Sequence, residues 1–157
     1  MNYTKVACII ELSNLVSGAD IRLQLNDDFF AQFEGSEVLG GQVAVAISPR
    51  AVGKAWSLQV HLKGQVKLLC DRCLDEFLLP IDEDEEVRLC PAQNADGQQD
   101  AGDEQLFFTA QDTVVDLSQY LYESVCLSLP MQRFHARESD CNPQMLQKLK
   151  TLIVNLK

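Results

Sequence analysis

Two cysteines three positions apart, Cys70 and Cys73, have the types and spacing that could do chemistry in this chain. They stand in the stretch LLCDRCLDEF, with an Asp-Arg pair between them. A C-x-x-C pair can be a redox dithiol, half of a metal site, or a tight turn that contains two packed thiols. Each interpretation makes a different demand on the surrounding residues.

A redox dithiol needs a first thiol whose pKa is lowered, typically at the N-terminus of a helix that follows a strand. Here the flanking sequence predicts strand, turn and strand instead. Asp71, Asp75 and Glu76 also place negative charge beside the thiols, and negative charge raises a thiol pKa. The sequence therefore disfavours a redox dithiol.

Half of a zinc site needs two further ligands, because two thiolates supply only two corners of a tetrahedron at about 2.3 Å from the ion. His135 and Cys141, with five residues between them, are the candidate second pair. Cys141 comes just before the last predicted helix, whose dipole favours a thiolate there. Cys70, Cys73, His135 and Cys141 would together form a closed Cys3His site holding one structural zinc, which ties the C-terminal helix to the hairpin end.

A packed turn is the third interpretation. Cys70 continues the buried face of its predicted strand, Cys73 lies in the turn, and free cysteine is among the most buried residue types. The 61 residues between the two ligand pairs are also more than a compact zinc ribbon would have. The metal site and the packed turn both remain open at the level of sequence.

Motifs of known enzyme classes are absent from the sequence. It contains no Gly-rich phosphate loop, no Gly-x-Ser-x-Gly and no His-Glu-x-x-His. The acidic run from Asp82 to Glu86 does not set two carboxylates at a defined separation, as hydrolysis requires. We therefore expect no enzymatic activity and no catalytic residues.

The elements that must position these residues come as strands first and helices last. Residues 58, 60 and 62 alternate with polar positions, and Lys63-Gly64 is predicted as a hairpin turn before the strand that leads to Cys70. Pro80 implies a break, a bulge or a sheet edge. Further strands are predicted at residues 3–11, 21–25 and 42–48, in EFLLPI, in EEVRLC and at LFFT.

Two helices are predicted after the strands. Asp116 and Gln119 form a capping box for the first, and Asn142 and Pro143 suit the N-cap and first turn of the second. The order of elements indicates an α+β fold, with a mainly antiparallel sheet in the N-terminal two thirds followed by two C-terminal helices. The first helix should bury Leu117, Tyr120, Leu121, Ser124 and Val125, and the second Leu146, Leu149, Ile153 and Leu156.

Length and composition indicate a single globular domain over residues 1–157, with a mobile acidic loop at about 92–105. No apolar run approaches the length of a membrane span, and the N-terminus is not built like a signal peptide. We expect a cytoplasmic protein with no membrane partner.

Charge is concentrated in one part of the chain. The formal net charge is −10, and residues 71–104 hold twelve acidic and two basic side chains, so the remainder is balanced. A nucleic-acid binder normally shows a basic patch, which disfavours direct RNA contact, although Lys148 and Lys150 leave it open. An acidic band suits a basic protein partner. The candidate partner-binding residues are Asp82, Glu83, Asp84, Glu85 and Glu86.

Several motifs together resemble one known family. CDRCLDEFLLPI, an acidic loop, VDLSQYLYESVCLSLP and a final H…CN segment are similar to the YceD family, whose members occur in bacteria and plastids and are associated with accumulation of large-subunit ribosomal RNA. LSLP followed by H and CNP looks like the version in Bacteroidetes-type members. Many members carry a Cys-rich C-terminal cluster, whereas this chain has only His135 and Cys141 there.

The resemblance implies a role in ribosome assembly and names no catalytic residues. We therefore expect a non-enzymatic factor in large-subunit biogenesis, whose acidic band contacts a basic ribosomal protein or assembly factor. The alternative is a thiol- or zinc-dependent redox or metal protein centred on Cys70 and Cys73.

Overall fold

A computed structural model describes residues 8–92, 105–109, 111–135 and 137–155, apart from the side chains of residues 138 and 153–155. It contains a five-stranded sheet of order β2-β3-β4-β5-β6 and a two-stranded sheet of β1 and β7. The strands are β1 (Ile9–Glu11), β2 (Ile21–Leu25), β3 (Gly40–Val52), β4 (Ala55–Leu69), β5 (Glu76–Pro91), β6 (Gln105–Phe108) and β7 (Val114–Asp116). The helices are α1 (Leu12–Ser17), α2 (Asp27–Ala31), α3 (Ser118–Ser128) and α4 (Pro143–Asn155).

This architecture confirms the predicted α+β class, with strands first and helices at the C-terminal end. Strands β2 to β5 pair antiparallel, and only β6 joins the five-stranded sheet in parallel, beside the last residues of β5. One face of the sheet is buried against the helices and the other carries polar residues, as alternating strands require.

The predicted hairpin turn at Lys63-Gly64 is wrong. Strand β4 runs straight through these residues for 15 positions, and the chain reverses instead at Gly53, whose φ is 61°. Alternation explains the continuity, because the even-numbered positions on both sides of Gly64 face the core. The glycine at position 64 lets β4 lie close to β3, since a side chain there would collide with the carbonyl oxygen of Gln42 on β3.

Strand β5 joins the two short strands that the sequence predicted on either side of Pro80. The strand is continuous over 16 residues. Pro80 is paired with Gln65 of β4, and in the described chain β6 borders β5 only from Arg88 onward. Pro80 therefore lies on a sheet edge, where its missing N–H costs no ladder bond.

Helix α3 buries the face that its sequence predicted: Leu117, Tyr120, Leu121, Ser124 and Val125 are all buried. It begins later than expected, because residues 114–116 form β7 against β1. The predicted capping box does not form, because Leu117 is the N-cap residue and Gln119 donates to Glu123 Oε1. Asp116 Oδ1 does accept a hydrogen bond from the Ser118 N–H at 2.9 Å. Helix α1 was not predicted, since its six residues are too few to show a helical period.

Helix α4 has the predicted cap but a more exposed stripe than expected. Asn142 Oδ1 accepts from the N–H groups of Gln144 and Met145, at 3.0 and 3.3 Å. Leu146 and Leu149 are only half-buried, so that part of the prediction is wrong. Parts of three predictions lie outside the described residues. They are the side chains of residues 153 and 156, residues 3–7 of the first predicted strand, and nearly all of the predicted loop at 92–105.

No helix of the described chain is long and apolar enough to cross a membrane.

Candidate metal centre

The loop between β4 and β5 curls tightly around one sulfur atom. The Leu74 N–H donates to the Cys70 carbonyl at 2.9 Å, and the Cys70 N–H donates to the Asp75 carbonyl at 2.8 Å. The Arg72 N–H points at Cys70 Sγ from 3.4 Å. These bonds place Cys70 and Cys73 on the same side of a closed turn, as two ligands of one ion require.

A second segment, the chain that follows α3, docks onto this loop through a reciprocal pair of hydrogen bonds. The Asp71 N–H donates to the Arg133 carbonyl at 2.6 Å, and the Arg133 N–H donates to Asp71 Oδ2 at 2.8 Å. Arg72 adds a bond from its Nη2 to the His135 carbonyl at 2.8 Å, with its guanidinium 4.7 Å above the Phe134 ring. The two residues between the cysteines thus fix the position of His135.

A third segment brings Cys141 to the same place. A short 3₁₀ helix over Glu138–Asp140 precedes it, and the Asn142 cap starts α4 directly after it. Cys141 is buried even though α4 beyond it is largely exposed. The fourth candidate ligand is therefore held at the point where α4 meets the body of the protein.

Distances between the candidate ligand atoms match the edges of a tetrahedron around a metal ion. Cys70 Sγ lies 3.7 Å from Cys141 Sγ, and His135 Nδ1 lies 3.5 Å from Cys73 Sγ and 3.4 Å from Cys141 Sγ. All four ligand atoms fall within 4.8 Å of one another. Zinc–ligand bond lengths predict edges of about 3.8 Å for two sulfurs and about 3.6 Å for sulfur and nitrogen. A disulfide would need about 2.05 Å, and all six cysteines are free.

The thiols of Cys70 and Cys141 have very different acidities. Burial opposes ionisation of Cys70, but hydrogen bonds from the Cys73, His135 and Arg72 backbones and from the His135 side chain outweigh it and lower the pKa to about 6. Burial, followed by the neighbouring Cys70 and Cys73 sulfurs, raises the pKa of Cys141 to about 11. The expectation that nearby carboxylates would raise the thiol pKa is thus wrong for Cys70.

The cluster offers soft sulfur and imidazole ligands in a closed arrangement. Three cysteines and one histidine are a ligand set that suits zinc, and four protein ligands leave no corner for water or substrate. Cys70, Cys73 and Cys141 are buried and His135 is half-buried. The geometry therefore fits a structural zinc site, in which protein ligands would fill all four positions.

The predicted partner-binding acids lie elsewhere, in the middle of β5, and they do not form one surface. The register places Asp82, Asp84 and Glu86 opposite Lys63, His61 and Gln59 on the polar face of the sheet. The two residues between them, Glu83 and Glu85, point to the opposite face, because successive strand residues alternate.

Most of these carboxylates already contact neighbours. His61 lies between two of them, with Nδ1 2.6 Å from Asp84 Oδ1 and Nε2 3.3 Å from Asp82 Oδ1. Tyr120 donates to Glu85 Oε2 at 2.9 Å, and Ser57 donates to Glu86 Oε1 at 2.5 Å. The hydrogen bond from Ser57 is the main reason that the pKa of Glu86 lies below its ordinary value.

Sequence reasoning missed the structural role of Asp71 and Arg72. Asp71 was considered only as a charge near the thiols, and Arg72 only as part of the charge count. Each instead bonds a residue about 60 positions away, at 133 or 135. No local pattern could reveal these pairs, although an Asp-Arg pair enclosed between two candidate ligands marks the place to look.

A family model described as "Large ribosomal RNA subunit accumulation protein YceD" matches residues 58–153, more than half of the chain. The chain belongs to the YceD family. The matched YceD region starts within β4 and includes all four residues of the cluster. Neither a curated protein nor a solved structure matches this YceD chain.

Proposed function

We propose that this YceD chain is a non-enzymatic factor in biogenesis of the large ribosomal subunit, acting in the cytoplasm through protein contacts. The family is associated with accumulation of large-subunit ribosomal RNA, and the match over residues 58–153 is the observation that carries the proposal. The Cys3His cluster offers four protein ligands to one ion, which supports a role without catalysis. LSLP, H and CNP further support a Bacteroidetes-type member.

The proposed partner is a basic ribosomal protein or assembly factor of the large subunit. The formal charge of −10 favours attraction of a cationic protein and repulsion of RNA. Within β5, Asp82 and Asp84 are exposed and face outward, while Glu83 has no contact among the described hydrogen bonds and ion pairs. These acids would attract the partner at low salt and raise both its rate of encounter and its affinity.

Quantitative affinity purification tests this function. The tagged chain is recovered from cells at low salt, and large-subunit components are compared with those of a double variant, Asp82→Asn with Asp84→Asn. A second double variant, Asp28→Asn with Glu34→Gln, removes the same charge from exposed positions outside β5. We expect large-subunit proteins with the wild type, fewer with the first variant and no change with the second. Absence of every large-subunit component from the wild-type sample contradicts the proposal.

The zinc ion in this proposal is structural. Bound by Cys70, Cys73, His135 and Cys141, it would hold the chain after α3 and the start of α4 against the β4–β5 loop. Elemental analysis of the untagged protein tests it directly: we expect one zinc per chain, lost in Cys70→Ser. A folded protein without metal would leave the packed turn as the explanation of the cysteines.

The low pKa of Cys70, about 6, favours a second candidate function, a thiol-based redox protein. That function needs an accessible sulfur, whereas Cys70 and Cys73 are fully buried. Alkylation by iodoacetamide separates the two functions. Rapid labelling of Cys70 in the metal-loaded protein at pH 7 supports redox chemistry, and protection that disappears on chelation supports the structural site.

A further inference from the structure

The tip of the β4–β5 hairpin presents three leucines to solvent. Leu69, Leu74 and Leu78 are 47%, 60% and 51% exposed, and we refer to them as the tip patch. Leu69 ends β4, Leu78 lies near the start of β5, and Leu74 lies in the loop that joins the strands. Three large apolar side chains within ten residues are a concentration that the folding of this chain does not require.

Register places two of these leucines side by side. Leu69 is paired with Glu76 and Lys67 with Leu78, so Leu69 and Leu78 are diagonal neighbours on one face of the hairpin. That face is the outer one, because Leu68 on the opposite face is fully buried. These two leucines thus give the polar face of the sheet an apolar end.

Leu74 has an unusual backbone. Its φ is 63°, and it is the non-glycine residue with positive φ in the described chain. Glycine or asparagine would adopt this conformation at lower cost, and an exposed leucine gains little from packing in return. The closed turn requires this backbone conformation, because the Leu74 N–H bonds the Cys70 carbonyl and the Cys70 N–H bonds the Asp75 carbonyl. The turn does not require a leucine there, and an exposed leucine in this position points to a functional role for its side chain.

Charges around the patch are mainly negative. Asp71, Asp75 and Glu76 are exposed, and no described hydrogen bond or ion pair involves the Asp75 carboxylate. Glu76 already pairs with Lys67 at 3.9 Å, and Lys67 lies opposite Leu78, so Asp75 is the carboxylate left open to a partner. The one cation of the loop, Arg72, turns its guanidinium toward Phe134 and the His135 carbonyl. A partner that covers the leucines would therefore meet exposed carboxylates, which selects a cationic segment over a nucleic acid.

Hydrogen bonds within the loop and to the 133–135 segment hold the tip in its shape. A surface that is ordered before binding loses less entropy when a partner docks. The acidic residues at 82–86 differ from Asp75, since most of their carboxylates are engaged with His61, Tyr120 and Ser57.

We infer that the tip patch is the docking surface for a basic protein segment whose apolar side chains cover Leu69, Leu74 and Leu78. A cationic side chain of that segment pairs with Asp75. The inference rests on the proposed function for the class of partner, and it names the surface that such a partner occupies.

Binding of defined ribosomal components to the zinc-loaded full chain tests the inference. The probes are the separated, RNA-free proteins of a purified large ribosomal subunit and, in a parallel measurement, its isolated ribosomal RNA. The test variant is Leu74→Asn, because asparagine tolerates positive φ and should leave the unfolding midpoint unchanged or higher. The matched control is Leu152→Asn on α4, since Leu152 is also 60% exposed.

We expect one or more basic large-subunit proteins to bind the wild type and Leu152→Asn equally, and Leu74→Asn about tenfold more weakly. Equal binding by wild type and Leu74→Asn overturns the tip inference and leaves the proposed function intact. Binding of no large-subunit protein to the wild type at low salt contradicts the proposed function itself. Three other outcomes also overturn the tip inference. Weaker binding by Leu152→Asn alone would indicate α4 as the docking surface, and binding of RNA alone would indicate RNA as the partner. A wild-type dimer that Leu74→Asn disrupts would indicate a second copy of the chain.

Discussion

The β4–β5 hairpin contributes both to the buried Cys3His cluster, through Cys70 and Cys73, and to the acidic stretch at 82–86, yet the two regions are built in opposite ways. Cys70 and Cys73 meet His135 and Cys141 across more than 60 residues of sequence. The five consecutive acids of β5 are instead divided between the two faces of the sheet, and all but Glu83 contact nearby side chains in the described chain.

The difference shows that closeness in sequence is a poor guide to a shared site in a strand. Neighbouring residues of a strand point to opposite faces, so a charge run cannot form one surface there. A loop that closes on itself can turn two thiols the same way and leave room for ligands from elsewhere. The first type of site is distributed and exposed, and the second is compact and buried.

The largest expected effect comes from removing one ligand of the cluster. Cys141→Ser should abolish zinc binding and lower the free energy of unfolding by about 3 kcal/mol or more, because binding energy of a structural metal is folding energy. Cys90→Ser is the control, since Cys90 is a half-buried thiol outside the cluster. Elemental analysis and urea unfolding measure both effects. A Cys141→Ser protein that retains zinc and full stability would mean that Cys141 is only a packed residue.

A smaller effect is expected at the residues that support the ligands. Arg72→Gln removes the bond to the His135 carbonyl and the contact with Phe134. Zinc affinity should fall about tenfold or more while the stoichiometry stays at one, as for other residues that orient metal ligands. Competition with a chromophoric chelator measures the affinity, and Arg88→Gln on β5 provides the control. An unchanged zinc affinity in Arg72→Gln would mean that Arg72 does not help to position the ligand His135.

Stability of the chelator-treated protein should depend on pH in a characteristic way. The folded pKa of Cys70, about 6, lies below its ordinary value of 9.0, so its contribution is present above pH 9 and is lost as the pH falls toward 6. The folded pKa of Cys141, about 11, lies above 9.0, so its contribution is present below pH 9 and is lost as the pH rises toward 11. The two thiols together predict a maximum near pH 9.

Urea midpoints between pH 6 and 11 measure this profile in the metal-free protein. Cys70→Ser should remove the rise between pH 6 and 9, and Cys141→Ser should remove the fall above pH 9. A wild-type profile without a rise in that lower range would contradict the hydrogen-bonded thiolate at Cys70.

The smallest effect on stability is expected in the acidic stretch. Asp84→Asn weakens an exposed contact with His61 and should change the free energy of unfolding by less than about 0.5 kcal/mol. Under the proposed function it should still slow association with a basic partner at low salt, and this difference should vanish at high salt. Equal association rates at low salt would remove this stretch from the interaction.

Some features of this protein were predictable because they depend on neighbours in sequence. The α3 face, the Asn142 cap and the polar side of β4 follow from periodicity and capping, which act over a few residues. The hairpin turn at Lys63-Gly64 was mispredicted because a local turn signal was given more weight than the unbroken alternation around it. Gly64 is required by the adjacent strand β3, which no local pattern reveals.

The sequence by itself determined the ligand types, their spacing within each pair and the family to which the chain belongs. Only the tertiary structure decided that the two pairs meet, because the docking of residues 133–135 on the β4–β5 loop depends on Asp71 and Arg72 bonding across some 60 positions. It also decided that the acids of β5 would be divided, because strand register sets which side chains share a face. Neighbouring residues are enough to predict local structure and ligand types, whereas a site built from distant segments forms only when the chain folds.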